Sequence, residues 1–203
     1  MKKWLFAAAV VVAIGIGTLY YYFFSAMSAD GTTQYVYIDD DDNIDSVLTK
    51  VSAVSNAHAM SAYTLLAKHS AYAEHVRTGR YAINGSNGAL VTFRHMKNGL
   101  QTPVNLTVPS VRTTDRLAAE LSKKLMLDSA AISHALKDEA VCQKYGYDTA
   151  TIACMFIPNT YDIYWNTSID HLFERMQKES KRFWNAERTK KAADMKLSPV
   201  QVI

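Results

Sequence analysis

Asp39 to Asp42 form the densest group of oxygen donors in the chain, and such a run could hold calcium if the following loop closed around it. An EF-hand-type loop counted from Asp39 needs glycine at its sixth place and glutamate at its twelfth. Those places hold Ile44 and Lys50, so the pattern fails. The acids and Asn43 instead suit a helix start, where side-chain oxygens accept hydrogen bonds from the first free amides. The six histidines include no pair three or four residues apart, which gives no helical metal site. Asp138-Glu139 and Glu174 with Glu179 fall on polar helix faces, as do Lys123, Lys124 and Lys137, so no desolvated amine is offered for a Schiff base. Neither G-x-S-x-G nor a phosphate-cradling glycine loop occurs. No metal and no cofactor is expected. Cys142 and Cys154 could close a disulfide or stand as two unrelated thiols. The remaining constellation is Pro158, Asn159, Thr160 and Tyr161 with Trp165. It is either a structural turn, with proline fixing φ and the aromatics in the core, or a contact for a sugar ring.

Periodicity supplies the elements that would position these residues. Gln34 to Ile38 is a short strand of aromatic and β-branched residues, followed by a helix carrying Ile44, Val47, Leu48, Val51 and Val54. A second helix spans about Ala57 to Lys68 and a strand runs from Gly79 to Ile83. Asn84 to Gly88 is a turn cluster leading to a helix with Leu90, Val91, Phe93 and Met96, stopped by Asn98-Gly99. Val104, Leu106 and Val108 alternate with Asn105 and Thr107 as a half-buried strand. Thr113 or Thr114 caps a helix with Leu117, Ala118, Leu121 and Leu125, and Asp128 starts another through Ile132 and Leu136. Thr167 or Ser168 caps one long helix carrying Ile169, Leu172, Phe173, Met176, Phe183 and Trp184. The pattern is α+β.

Lys2 and Lys3 precede an uncharged run, Trp4 to Phe24, long enough at about 1.5 Å per residue to cross a hydrocarbon core of about 30 Å. A signal peptide shares the basic start and the small residues after the run, but its apolar region usually spans about 7 to 15 residues. Tyr20 to Phe24 suit an interfacial aromatic belt. The two lysines place the start in the cytoplasm, so the bulk of the chain is expected outside it, on one pass through the inner membrane. The net charge of +3 argues against nucleic acid as a partner.

Four stretches in order resemble the MltG (YceG-like) family of endolytic murein transglycosylases. Val76-Arg77-Thr78-Gly79-Arg80-Tyr81 is similar to the family's K-A-G-T-Y turn and strand, and Leu90 to Gly99 to its helix with a glycine stop. Thr102 to Leu121 is similar to V-T-I-P-E-G and the capped helix after it, and Phe156 to Trp165 to F-P-D-T-Y. Ser110-Val111 and Ala153-Cys154 stand where the family has E-G, and Asn159 where it has Asp, so these places supply no carboxylate. Tyr35 to Ile83 has the size and order of a LysM-like unit. The resemblance implies an anchor in residues 1–29, a LysM-like α+β region in 30–100 and the start of a transglycosylase domain in 101–203.

The implied activity is cleavage of the β-1,4 bond between N-acetylmuramic acid and N-acetylglucosamine in nascent glycan strands, leaving 1,6-anhydro ends. Nascent strands and cell-wall synthesis enzymes are the implied partners. A non-catalytic membrane-anchored peptidoglycan-binding or scaffold protein is the alternative. The family's essential Glu follows a helix start like Leu197-Ser198-Pro199, beyond Ile203, so no residue of this chain inherits that role. Val200, Val202 and Ile203 would form an exposed apolar stub, and a longer natural protein is expected.

Overall fold

A computed structural model describes residues 2–202. Ile203, part of the expected apolar stub, and the side chain of Lys2, half of the expected basic flank, lie outside the described residues. The chain is α+β. Its elements are α1 (Lys2–Phe24), β1 (Gln34–Ile38), α2 (Ile44–Ser52), α3 (Ala57–Lys68), β2 (Gly79–Ile83), α4 (Ala89–Asn98), β3 (Val104–Val108), α5 (Thr114–Ser122), α6 (Ser129–Lys137), α7 (Glu139–Lys144), β4 (Asn159–Ile163), α8 (Ile169–Phe183), α9 (Ala186–Asp194) and α10 (Pro199–Val202). Short 3-10 turns lie at Ala71–Ala73 and Ile152–Met155. The contacts divide the chain after Thr102 into two compact units.

In the first unit β1 and β2 pair antiparallel, with Val36 opposite Tyr81 and Ile38 opposite Gly79. Alternation puts Val36, Ile38, Tyr81 and Ile83 inside. The helices cover that face with Val47, Val51, Tyr63, Phe93 and Met96. Phe93 meets Tyr63 and Tyr72 edge to face. Tyr63 Oη donates to Met96 Sδ at 3.0 Å and Tyr81 Oη to the Arg77 carbonyl at 3.0 Å, so both buried phenols find acceptors. Asn43 caps α2: its Oδ1 accepts from the amides of Asp45 and Ser46, and Ser46 Oγ accepts from the Asn43 amide in return. Asp39 and Asp42 both pair with Lys50, the residue at the twelfth place of the failed calcium pattern. On α4 the buried face is Ala89, Thr92, Phe93 and Met96, with Leu90 and Val91 only half-buried. Gly99 ends that helix at φ 69°, the left-handed conformation glycine adopts without strain.

Among the described residues one helix, Lys3–Phe24, is long and apolar enough to cross a membrane. Its aromatic end packs against the protein. Phe23 packs against the core of the first unit and the Tyr21 ring stacks on His58 with centroids 4.7 Å apart. Just beyond it, Ala26 bridges to Gly88. A side-chain carbon at Gly88 would lie 2.7 Å from both the Phe23 carbonyl oxygen and Phe24 Cα.

In the second unit β3 and β4 pair antiparallel, with Leu106 opposite Tyr161. Leu117, Leu121, Ile132, Leu136, Leu172, Phe173 and Met176 close the core over them. Asn159–Ile163 is therefore a strand, where the sequence suggests a turn. The single long helix expected after Ser168 is two helices. Trp184 leaves helical backbone at ψ 61° and Asn185 starts α9, its Oδ1 accepting from the Arg188 amide. Both cysteines are free thiols, Cys142 buried in this core and Cys154 only partly buried.

The close approach at Gly88 gives a direct expectation. Gly88→Ala must push backbone apart between α1 and α4, at a cost of about 1–3 kcal/mol. Thermal unfolding of the detergent-solubilised chain should show a lower Tm. An unchanged Tm would mean that α1 does not dock there.

Candidate functional site

Ser110, Val111, Ala153 and Cys154, the four residues marked in the sequence by comparison with two E-G pairs, come together in the second unit. Ser110 and Val111 follow β3, while Ala153 and Cys154 sit in the 3-10 turn just before β4. Because β3 and β4 pair antiparallel with Val108 opposite Asn159, the segment leaving one strand lies beside the segment entering the other. Pro109 and Pro158 bound the pair, and neither has an amide proton to extend the ladder. Ser110, Val111, Arg112, Thr113, Arg116, Ala150, Ala153 and Cys154 line an open cleft of about 830 Å³. A narrower cavity of about 40 Å³ adjoins it beneath Pro109, Leu117, Phe156 and Pro158.

Each wall is fixed by local hydrogen bonds. Thr113 caps α5, its Oγ1 accepting from the Arg116 amide at 3.3 Å. Opposite, Asp148 Oδ1 accepts from Thr151 Oγ1 and the Thr151 amide, both at 2.7 Å, and from the Ala150 amide at 3.0 Å. The Thr151 hydroxyl and then its amide hold the Asp148 carboxyl below the usual carboxylate range. Cys154 Sγ donates to the Val200 carbonyl at 3.8 Å, which ties the cleft to the first turn of α10. Burial, with the Asp148 charge adding to it, pushes the Cys154 thiol up, so it is a neutral group rather than a nucleophile at neutral pH.

The residues singled out in the sequence divide by role. Tyr161 is 6 % exposed and its hydroxyl donates to the Ile157 carbonyl at 2.8 Å, which makes it a core residue. Burial raises its pKa, with the Glu179 charge acting in the same direction. Trp165 is half-buried against the same core, and its carbonyl accepts from the Met126 amide. Thr160 and Asn159 are exposed; Thr160 shares a 3.0 Å hydroxyl contact with Thr107 across the strands, and Asn159 Oδ1 accepts from the Thr160 amide. Pro158 alone of the five borders the cleft region. Sequence reasoning missed Arg112, Arg116, Thr113 and Ala150 as lining residues. The T-x-x-R step at the start of an amphipathic helix was the signal available for two of them.

A second open cleft, of about 580 Å³, lies in the first unit between the loop after β1 and the loop before β2, lined by Asp42, Asn43, Glu74, His75, Val76 and Arg77 among others. Its Asp42 and Asn43 are committed to Lys50 and to the α2 cap. The clefts therefore differ. The first-unit groove is built from loops and structural polar groups, whereas the second-unit cleft has small walls and two exposed arginines, with no carboxylate among its lining residues.

A family model described as the YceG-like family matches residues 36–203. Among solved structures, the 2.6 Å crystal structure of a yceG-like protein, lmo1499, from Listeria monocytogenes is similar at 16% identity and a TM-score of 0.43. The match covers 82% of this chain and 60% of that one, so the chain spans less than two thirds of that relative's length. No curated protein matches.

Two outcomes test the roles assigned to these residues. Tyr161→Phe leaves the Ile157 carbonyl without its buried donor and should lower stability by about 1–2 kcal/mol in denaturant unfolding, while Thr160→Ala stays within about 0.5 kcal/mol. Equal effects would remove the distinction between core and surface. Asp148, depressed in the folded state, contributes fully above the ordinary carboxylate pKa near 3.8, and that contribution fades as pH falls through its lower folded value. Amide NMR shifts of Ala150 and Thr151 should therefore move only in that acid window. A transition near neutral pH would contradict the cap.

Proposed function

The chain belongs to the YceG-like family, and from that membership we propose that it serves endolytic cleavage of peptidoglycan strands at the outer face of the inner membrane. In that reaction O6 of a muramyl residue attacks its own C1, forming the 1,6-anhydro ring as the bond from C1 to the N-acetylglucosamine O4 breaks. One carboxyl protonates the leaving O4 and, as carboxylate, takes the proton from O6, so no water is consumed. The resemblance puts that carboxyl after the helix start at Leu197-Ser198-Pro199. Residues 2–202 are accordingly assigned the holding of the strand, with α1 as the anchor and the first unit as a LysM-like glycan module.

One observation carries this reading. Ser110-Val111 and Ala153-Cys154, distant in sequence and similar in place to the family's paired E-G motifs, line one cleft, and Cys154 joins that cleft to the first turn of α10. Small side chains at Ser110, Ala150 and Ala153 leave width for a sugar chain. Nascent strands beside the membrane, and the enzymes that polymerise them, are the proposed partners. Lys3 would face the cytoplasm and both units the other side.

A non-catalytic peptidoglycan-binding role is favoured by the first-unit groove, which could hold glycan without any chemistry. The two readings separate in one assay. The full-length product of the gene, in membrane vesicles with nascent strands, should generate 1,6-anhydro-muropeptides detectable by mass spectrometry. Ser110→Trp, which fills the cleft, should reduce that yield about tenfold or more with the circular dichroism spectrum unchanged. Retention on sacculi without anhydro ends would overturn the enzymatic reading in favour of the binding one.

A further inference from the structure

The side chains that line the second-unit cleft carry charge of one sign. Arg112 and Arg116, both exposed, line it beside the hydroxyls of Ser110 and Thr113. The neighbouring acids are already engaged. Asp115 is taken by Lys137 and by Ser133 Oγ at 2.6 Å, and Glu120 by Lys123 at 2.6 Å. Asp148 is held by Thr151 and the Ala150 amide. Arg116 acts on Glu120 only at longer range. Among the described residues the ion pairs involve other cations, and neither cleft guanidinium takes part in one.

A guanidinium is a planar fork of N–H donors whose spacing matches the two oxygens of a carboxylate. Two of them in a carboxylate-free cleft, with hydroxyls alongside, make an arrangement that an incoming carboxylate completes. The small Ala150 and Ala153 walls leave room for the group that carries it. Resting on the strand-holding role above, we infer that this cleft recognises a carboxylate borne by the glycan strand, through Arg112 and Arg116. A peptidoglycan strand offers that chemistry from two sources, the free lactyl carboxylate of a muramyl residue without its peptide and the carboxylates of an attached stem peptide.

The test uses the full chain in detergent and three fluorescently labelled strands of equal length: one bearing stem peptides, one stripped to free lactyl groups, and one stripped with every lactyl group capped as its neutral methylamide. Binding is read by anisotropy. The chain should bind at least one carboxylated strand about tenfold or more tightly than the capped strand, the size expected for one charge-assisted contact. That preference should vanish in R112Q/R116Q and shrink with added salt, because both side chains are exposed. Preference for the peptide-bearing strand assigns the stem peptide, and preference for the stripped strand assigns the lactyl group. Equal affinity for all three strands, or a preference kept by R112Q/R116Q, overturns the inference while leaving strand binding intact. No binding to any strand, the capped one included, overturns the strand-holding role beneath it as well. Unchanged circular dichroism of the variant separates these outcomes from misfolding.

Discussion

The register of β3 against β4, with Val108 opposite Asn159, is the constraint on which the candidate site depends. It brings together two segments distant in sequence, Pro109 to Arg116 on one side and Ala150 to Pro158 on the other. An isolated two-stranded ribbon is marginal in water, and closing so long a loop carries an entropic cost. The helices between the strands, with the one that follows β4, meet both demands. Leu117 and Leu121 from α5, Ile132 and Leu136 from α6, and Leu172, Phe173 and Met176 from α8 cover the inner face that Leu106, Tyr161 and Ile163 present. A slip of one residue in the pairing would turn Tyr161 outward, uncouple its hydroxyl from Ile157 and carry the Ala153-Cys154 wall away from Ser110.

The first unit solves a related problem with the apolar helix α1 attached. Its sheet is also a two-stranded ribbon, and its helices shield the inner face around the Tyr63, Tyr72 and Tyr81 cluster. The last turn of α1 belongs to this packing, through Phe23, through the Tyr21–His58 stack and through the close approach at Gly88. An apolar helix joined in this way carries the first unit as a fixed extension, with no free linker between them. On the proposed function, that fixes the height at which a strand is met as it emerges beside the bilayer.

Much of the fold was legible because it rests on local patterns. Aromatic and β-branched residues located β1, and alternation located β3. Asn43, Thr113, Asp128 and Ser168 are caps in the structure as their residue types suggest. The parts that were not legible depend on contacts distant in sequence. Asn159-Thr160-Tyr161-Asp162-Ile163 carries turn-forming residues, and only the partner β3 makes it a strand. The break at Trp184 was hidden because Phe183 and Trp184 continue the apolar stripe of α8, while the cap that restarts the helix, Asn185, looks like one more polar surface residue. The Cys142 and Cys154 spacing left disulfide and free thiols open, and their placement, one in the core and one at the cleft, was beyond what spacing encodes. For the site, motif comparison marked Ser110, Val111, Ala153 and Cys154 as departures from a pattern. It took the strand register to show that they face a common space, and Arg112 and Arg116 came into view only with it.

Cys154 supplies a native reporter for the claim that this cleft receives the glycan strand. It lines the cleft, whereas the other thiol, Cys142, is fully buried. Because burial raises the Cys154 pKa, alkylation is slow at neutral pH and is best followed at alkaline pH, where more of the thiol is ionised. The account predicts that saturating peptidoglycan strands slow alkylation of Cys154 in the intact chain by a large factor and leave Cys142 as unreactive as before. An alkylation rate at Cys154 that is the same with and without strands would contradict it.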